Sequence, residues 1–161
     1  MEKVAIDDVR NERSPLDVHS VRRPVSEALG TDSVAMNYFE LDPGESFSGA
    51  RHTHHDQEEV FYVETGTVTF DVGREGDREV EVAAGELVRF APGEFQMGYN
   101  AGDTTVVGWA IGAPGAKHDW EQIESVVHCR SCDRETLHGL QPVSGGFLLT
   151  CEECGTEFDP R

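Results

Sequence analysis

The four cysteines of the chain form two short pairs, Cys129-Arg-Ser-Cys132 and Cys151-Glu-Glu-Cys154, with eighteen residues between them. Each pair can wrap a backbone knuckle around one ion, and the spacer is long enough for a hairpin to bring the knuckles together. Four thiolates then give the closed tetrahedral set that structural zinc prefers. Gly155 follows the second pair, where a knuckle needs an unhindered turn. The alternatives are two disulfides or a redox dithiol, but a redox motif does not need two copies. The energetics point the same way. A tail of roughly 30–35 residues cannot bury enough apolar area to offset its conformational entropy. Phe147, Leu148, Leu149 and Phe158 are a thin core, so Zn2+ on Cys129, Cys132, Cys151 and Cys154 is expected to supply the folding energy.

This segment resembles a zinc ribbon, which names a fold and not a function. His128 and His138 lie nearby and are read as bystanders, since four thiolates complete the site. A chain of 161 residues, 37% hydrophobic and 8% aromatic, has material for one modest core plus such an appendage. No apolar run approaches the ~18 residues of a membrane span. The N-terminus lacks a signal-peptide layout, so a cytoplasmic protein in a reducing compartment is expected.

The charge is unusual: 31 acidic residues against 13 basic, a net of −18, and only Lys3 and Lys117 among the basic residues are lysines. Dispersed acids with lysine depleted resemble the proteins of a salt-in halophile, where molar salt screens self-repulsion within about 3 Å. In dilute buffer this charge argues against a nucleic-acid partner. In a halophile it argues less. Residues 126–161 hold six acids and three arginines, so the ribbon itself offers no basic patch.

From Ser33 to Gly112 short runs rich in Val, Phe, Tyr and Thr recur between turn signals such as Asp42-Pro43-Gly44 and Pro92-Gly93, the pattern of an all-β sandwich or barrel. In Thr67 to Val72 the residues Val68, Phe70 and Val72 form one apolar face. Val21 to Leu29 reads as a strand and a short turn, and Asp119 as the cap of a helical turn. Within this region lies His52-Thr53-His54-His55-Asp56-Gln57-Glu58-Glu59. On a strand His52 and His54 share a face, His55 points the other way, and Glu59 can come opposite on the next strand. Two imidazoles and a carboxylate on one side of an ion leave positions open, as catalysis requires.

Here the chain resembles the cupin superfamily. The family's first motif runs His-x-His, three or four residues, Glu, six residues, Gly, matched by His52, His54, Glu59 and Gly66. Gly44 or Gly49 stands nearest its opening glycine, though neither keeps the family's usual five-residue gap. The second motif is matched in spacing by Gly85, Ala91-Pro92-Gly93, Gln96 and Asn100, with Ala91 in place of proline and Gln96 in place of the fourth ligand, histidine. The resemblance implies a jelly-roll barrel (a double-stranded β-helix) holding one divalent transition metal (Fe, Mn, Ni, Cu or Zn) on His52, His54 and Glu59, and a homodimer. Gln96 then either coordinates through oxygen, leaves its place to water, or orients a substrate. A barrel that has lost its metal is the alternative. The expected organisation is an N-terminal segment 1–32, a cupin barrel 33–112, a linker 113–127 and a zinc ribbon 128–161.

Three functions are open. A small-molecule enzyme of isomerase, oxygenase or decarboxylase type would use the ion as a Lewis acid, although no catalytic base stands out. A ligand- or metal-sensing module would use the ribbon to contact a partner, protein rather than nucleic acid. A structural protein would keep a vestigial site. A small-molecule ligand in the barrel is expected, with no membrane partner. Arg51 and Arg89 are the only arginines near the motifs, so no basic cluster for an anionic substrate is apparent. Met36, Tyr38, Phe47, Phe61 and Trp109 are candidates for a pocket wall, Glu94 and Tyr99 are weak acid–base candidates, and His19 and His118 are read as surface residues.

Overall fold

Alternation of apolar and polar residues decides this fold, because each strand hides every second side chain. The computed structural model describes residues 1–117, 119–144 and 146–160. A polar N-terminal segment with a 3-10 turn at Ile6–Asp8 leads to β1 (Val21–Pro24) and a short helix, α1 (Val25–Leu29). The barrel strands follow: β2 (Ala35–Leu41), β3 (Arg51–His54), β4 (Glu58–Thr65), β5 (Thr67–Val72), β6 (Arg78–Ala83), β7 (Leu87–Phe90), β8 (Gln96–Tyr99) and β9 (Val106–Ala113). A 3-10 turn at Trp120–Gln122 is capped by Asp119, whose carboxylate accepts the Glu121 N–H at 3.1 Å. The last strands are β10 (Ile123–Cys129), β11 (Arg134–Val143), β12 (Gly146–Cys151) and β13 (Glu157–Phe158).

Two antiparallel sheets face each other in a jelly roll. One has the order β1-β2-β9-β4-β7, the other β13-β12-β11-β10-β3-β8-β5-β6. In β4 the inward set is Glu59, Phe61 and Val63, all buried, while Glu58, Val60 and Tyr62 are half-covered. Phe39, Phe47, Phe61, Phe70 and Phe90 fill the barrel with Leu41, Val68 and Val106. Neighbouring rings in this core stand 4.9 to 6.3 Å apart, from Phe47–Phe61 to Phe47–Phe70. The motif residue Asn100 is buried and holds its turn together. Its amide donates to the Leu41 and Thr104 carbonyls at 2.8 Å each, and its oxygen accepts the Gly102 N–H at 2.9 Å.

The segment expected as a linker, 113–127, contains the 3-10 turn and most of β10. β10 pairs antiparallel with β3, placing Ile123 opposite His54 and Ser125 opposite His52. The physical reason is an edge: without β10, β3 would present a row of unpaired amides and carbonyls. The ribbon therefore continues the barrel's own sheet, and Arg51 on β3 forms an ion pair with Glu135 on β11. Its apolar residues follow that geometry. Leu149 is buried and Phe147 lies 4.8 Å from the Trp120 ring, so they are not the private core of a free-standing ribbon.

Candidate metal centres and an adjoining cavity

His52 and His54 leave β3 on the same face, and Glu59 meets them from β4. His54 Nε2 lies 3.7 Å and His52 Nε2 4.0 Å from Glu59 Oε2. One ligand atom from each of the three lies within 4.8 Å of the others, so a single centre stands close to coordination distance from all, with a small contraction. A void of about 10 Å³ sits among these residues and Gln96, room for one water-sized body. His52 Nδ1–H donates to the Ala50 carbonyl at 3.1 Å, which leaves the Nε2 lone pair aimed at the site. Burial lowers the His52 pKa and favours the neutral imidazole that a metal needs. Burial pushes Glu59 up to about 7, against a hydrogen bond from Gln96 that favours the carboxylate.

Gln96 is buried on β8, directly opposite His52 in the register. Its Nε2 donates to Glu59 Oε2 at 2.9 Å and lies 3.4 Å from His52 Nε2. Its Oε1 is buried without a hydrogen-bond partner, a costly arrangement. A half-turn of the amide exchanges the two atoms and puts the oxygen on the ligand side, where a cation needs it. The donor set thus fits a divalent ion held by three protein ligands, with the amide as a fourth.

The cysteines converge as their spacing requires. All four are unbridged, with Cys129 Sγ 3.6 Å from Cys154 Sγ and Cys132 Sγ 4.0 Å from Cys151 Sγ. Bonds of about 2.3 Å to a tetrahedral zinc would set these edges near 3.8 Å. The knuckles match: the Asp133 N–H bonds the Cys129 carbonyl at 2.8 Å, and the Gly155 N–H the Cys151 carbonyl at 2.9 Å. Both residues have positive φ, 53° and 70°. Gly155 was the expected turn. Asp133 does the same in the first knuckle, a conformation aspartate tolerates better than most residues. The Thr136 hydroxyl, 3.2 Å from Cys151 Sγ, pulls that thiol down, while contact with the Cys154 thiol pushes Cys132 up. A dication would relieve this opposition. His128 and His138 stand outside the cluster: His128 is exposed near Asp133, and His138 is buried with Nδ1–H on the Thr136 carbonyl at 3.0 Å.

Among the described residues these are the two clusters able to hold a metal. A cavity of about 330 Å³ borders the first of them, between the barrel and the ribbon strands. His52, His54 and Glu59 stand at one side. Phe39, Phe47 and Phe61 line the barrel wall, and Leu140, Phe147 and Leu149 reach in from the ribbon. Of the aromatic candidates, Phe47 and Phe61 border the cavity. Met36, Tyr38 and Trp109 do not, and Tyr38 and Trp109 pack edge to face at 5.4 Å elsewhere. His55 pairs with Glu124 at 3.1 Å and Glu58 with Arg89, both away from the ligands. Glu94 Oε2 accepts the Ala91 N–H at 2.7 Å and Tyr99 bonds Asp71.

Two cavity residues escape a reading of the sequence alone. Arg22, on β1, lines the cavity with Nε donating to Asn37 Oδ1 at 3.1 Å. His19, expected at the surface, is buried: Nδ1–H donates to the Ser46 carbonyl at 3.1 Å and the ring stands edge-on to Phe39. Burial lowers the pKa of both. They come from the N-terminal segment, which has no period to read. Only the pairing of β1 with β2, Arg22 opposite Phe39, brings it to the barrel. His118 lies outside the described residues.

Comparison with known proteins agrees with this architecture. The family model described as "Cupin domain" matches residues 37–111, the stretch that carries His52, His54, Glu59 and Gln96. The chain therefore contains a cupin domain, its barrel continued by the cysteine-bearing strands. It is similar to a sugar phosphate isomerase from a cupin superfamily of Silicibacter pomeroyi, with 17% identity, TM-score 0.67, and coverage of 96% of this chain and 95% of that one. It is also similar to the polyketide cyclase RemF from Streptomyces resistomycificus, at 22% identity and TM-score 0.66 over 81% of this chain and 88% of that one. A Klebsiella pneumoniae protein with a double-stranded β-helix domain aligns at 19% identity and TM-score 0.56, covering 70% of this chain and 84% of that one. At these identities the likeness is one of fold. No curated protein matched the sequence. No helix among the described residues is long and apolar enough to cross a membrane.

Proposed function

We propose that this protein is a metal-dependent small-molecule enzyme of isomerase or oxygenase type, working in the barrel, with a structural zinc in the ribbon. One observation carries the reading: His52, His54 and Glu59 converge at the side of a 330 Å³ cavity that is otherwise largely apolar. A divalent ion there supplies Lewis-acid polarisation of a substrate oxygen. The chain's own residues do the rest. The Ala50 carbonyl fixes the His52 tautomer, and the Gln96 amide stands beside the Glu59 carboxylate as the fourth group of the site. The phenylalanine walls exclude water from the bound molecule. Isomerase and cyclase are the names of two structural neighbours, and rearrangement of a small organic molecule needs no more than a Lewis acid in a closed, largely apolar space. Against a partner-docking role for the ribbon, its Leu140, Phe147 and Leu149 face inward.

The test is metal content per chain by mass spectrometry, on untagged protein purified in high salt. The expected result is two equivalents, one zinc and one further divalent metal, with His52→Ala and His54→Ala losing only the second. A single zinc, unchanged by His52→Ala, would remove the enzyme reading in favour of a vestigial barrel.

A further inference from the structure

We propose that the cavity between barrel and ribbon binds a small anionic molecule with an apolar body, gripped by Arg22 at its charged end and by the ribbon along its body. The proposal deepens the small-molecule reading above and rests on it. It gives the ribbon a task inside this chain: to form one wall of the site.

The wall follows from the strand order. β10 is hydrogen-bonded to β3, the strand that carries His52 and His54, so the ribbon hairpin must stand beside the ligands. Alternation along β12 then sends Phe147 and Leu149 to the same face, and both line the cavity with Leu140 from β11. Zinc at the cysteines would hold this hairpin closed at its far end and so hold the wall in place.

The charge preference follows from what lines the space. The chain carries a net charge of −18, yet among the described residues the cavity is bordered by one acidic side chain, Glu59, and one arginine, Arg22. Glu59 faces the two histidines and is committed to that site. Arg22 is held in orientation by Asn37, itself buried. Two carboxylates act on Arg22: Glu12, 3.5 Å from its Nη1 and shared with Arg10, and Glu27, which is shared with Lys117; neither lines the cavity, so the cavity side of the guanidinium faces no carboxylate but Glu59 among the described residues. A fixed, half-buried guanidinium in an apolar space selects a carboxylate or phosphate. A second group points to a ligand at the same place. His19 lines the cavity, is 6% exposed, and its Nε2 is buried with no hydrogen-bond partner. With Nδ1 donating to Ser46, that nitrogen is an acceptor awaiting a donor, such as a hydroxyl on the bound molecule.

The probes are 2-naphthoate and its neutral isostere 2-naphthamide, titrated into the full-length, metal-loaded protein and followed by calorimetry. Wild type should bind the carboxylate about tenfold tighter than the amide, the scale of one charge-assisted hydrogen bond. Arg22→Gln should erase that preference and leave amide binding unchanged. Phe147→Ala should weaken both probes several-fold, and Leu140→Phe, which fills the space from the same wall, should do so too. Leu87→Ala, at an exposed site on β7, should change neither. Zinc content and melting temperature identify any variant that has lost its fold, and the Arg22 and Leu140 variants test the proposal independently of Phe147. Failure of wild type to bind either probe at millimolar concentration overturns the proposal. So does a carboxylate preference that survives Arg22→Gln and disappears in His52→Ala, because the anion would then be reading the barrel metal. Wild-type affinity in both Phe147→Ala and Leu140→Phe refutes the wall. These results are separable from the metal count, which tests the enzyme reading alone.

Discussion

Glu59 should cost the metal-free protein stability at neutral pH, and Glu59→Gln should return it. The carboxyl is 9% exposed and raised from 4.5 to about 7 by burial. A raised carboxyl pKa means that the folded state favours the neutral form. Its contribution is therefore fully present below pH 4.5 and is lost as pH rises through about 7. A shift of this size is worth about 3 kcal/mol between the two limits. Glu59→Gln keeps the shape and removes the titration. The remaining acids titrate in both proteins, so the difference between variant and wild type isolates position 59. We expect that difference to grow by roughly 2–3 kcal/mol in favour of the variant from pH 5 to pH 8. The assay is urea unfolding at constant high salt, after a mild chelator has cleared the barrel and left one zinc per chain. Adding back a divalent metal should reverse the order, because only the wild-type carboxylate gains a cation to face. A difference that stays flat with pH would show that Glu59 is solvated in the folded state, and the reasoning from burial would fail.

Three further outcomes are expected. Cys151→Ser removes a buried ligand that Thr136 supports; it should release zinc, open residues 129–160 to limited proteolysis and red-shift Trp120 emission, whereas a protease-resistant tail retaining its zinc would refute the four-cysteine site. Gly98→Ala would place a methyl 2.5 Å from Phe70 and 2.9 Å from Phe47 in the filled core, so chemical unfolding should register a loss of about 1–3 kcal/mol. Moving from molar to millimolar KCl should lower the melting temperature by roughly 10 °C if the net charge of −18 is a salt adaptation, and an unchanged value would dismiss the halophile reading.

What the sequence makes legible here is whatever is encoded by short spacing. Two Cys-x-x-Cys steps, a His-x-His on a strand and a Glu at the start of the next each specify direction within a few residues, and the structure brings each set together. Alternation likewise predicts the buried faces of β4 and β5. Long-range pairing carries no such signature. Nothing in Ile123–Cys129 announces that it will lie against Arg51–His54, about 70 residues earlier, and nothing in the aperiodic N-terminal segment announces that Arg22 will face Phe39. Yet elementary energetics explains why these pairings form. The ribbon is too small to bury Leu140, Phe147 and Leu149 against itself, and the barrel has an edge at β3 that needs hydrogen-bond partners. Each deficit is met by the other, so the burial that stabilises the tail occurs at its junction with the barrel. A cavity arising at such a junction takes part of its lining from outside both motifs, and that is why Arg22 and His19 could be placed there only by the fold.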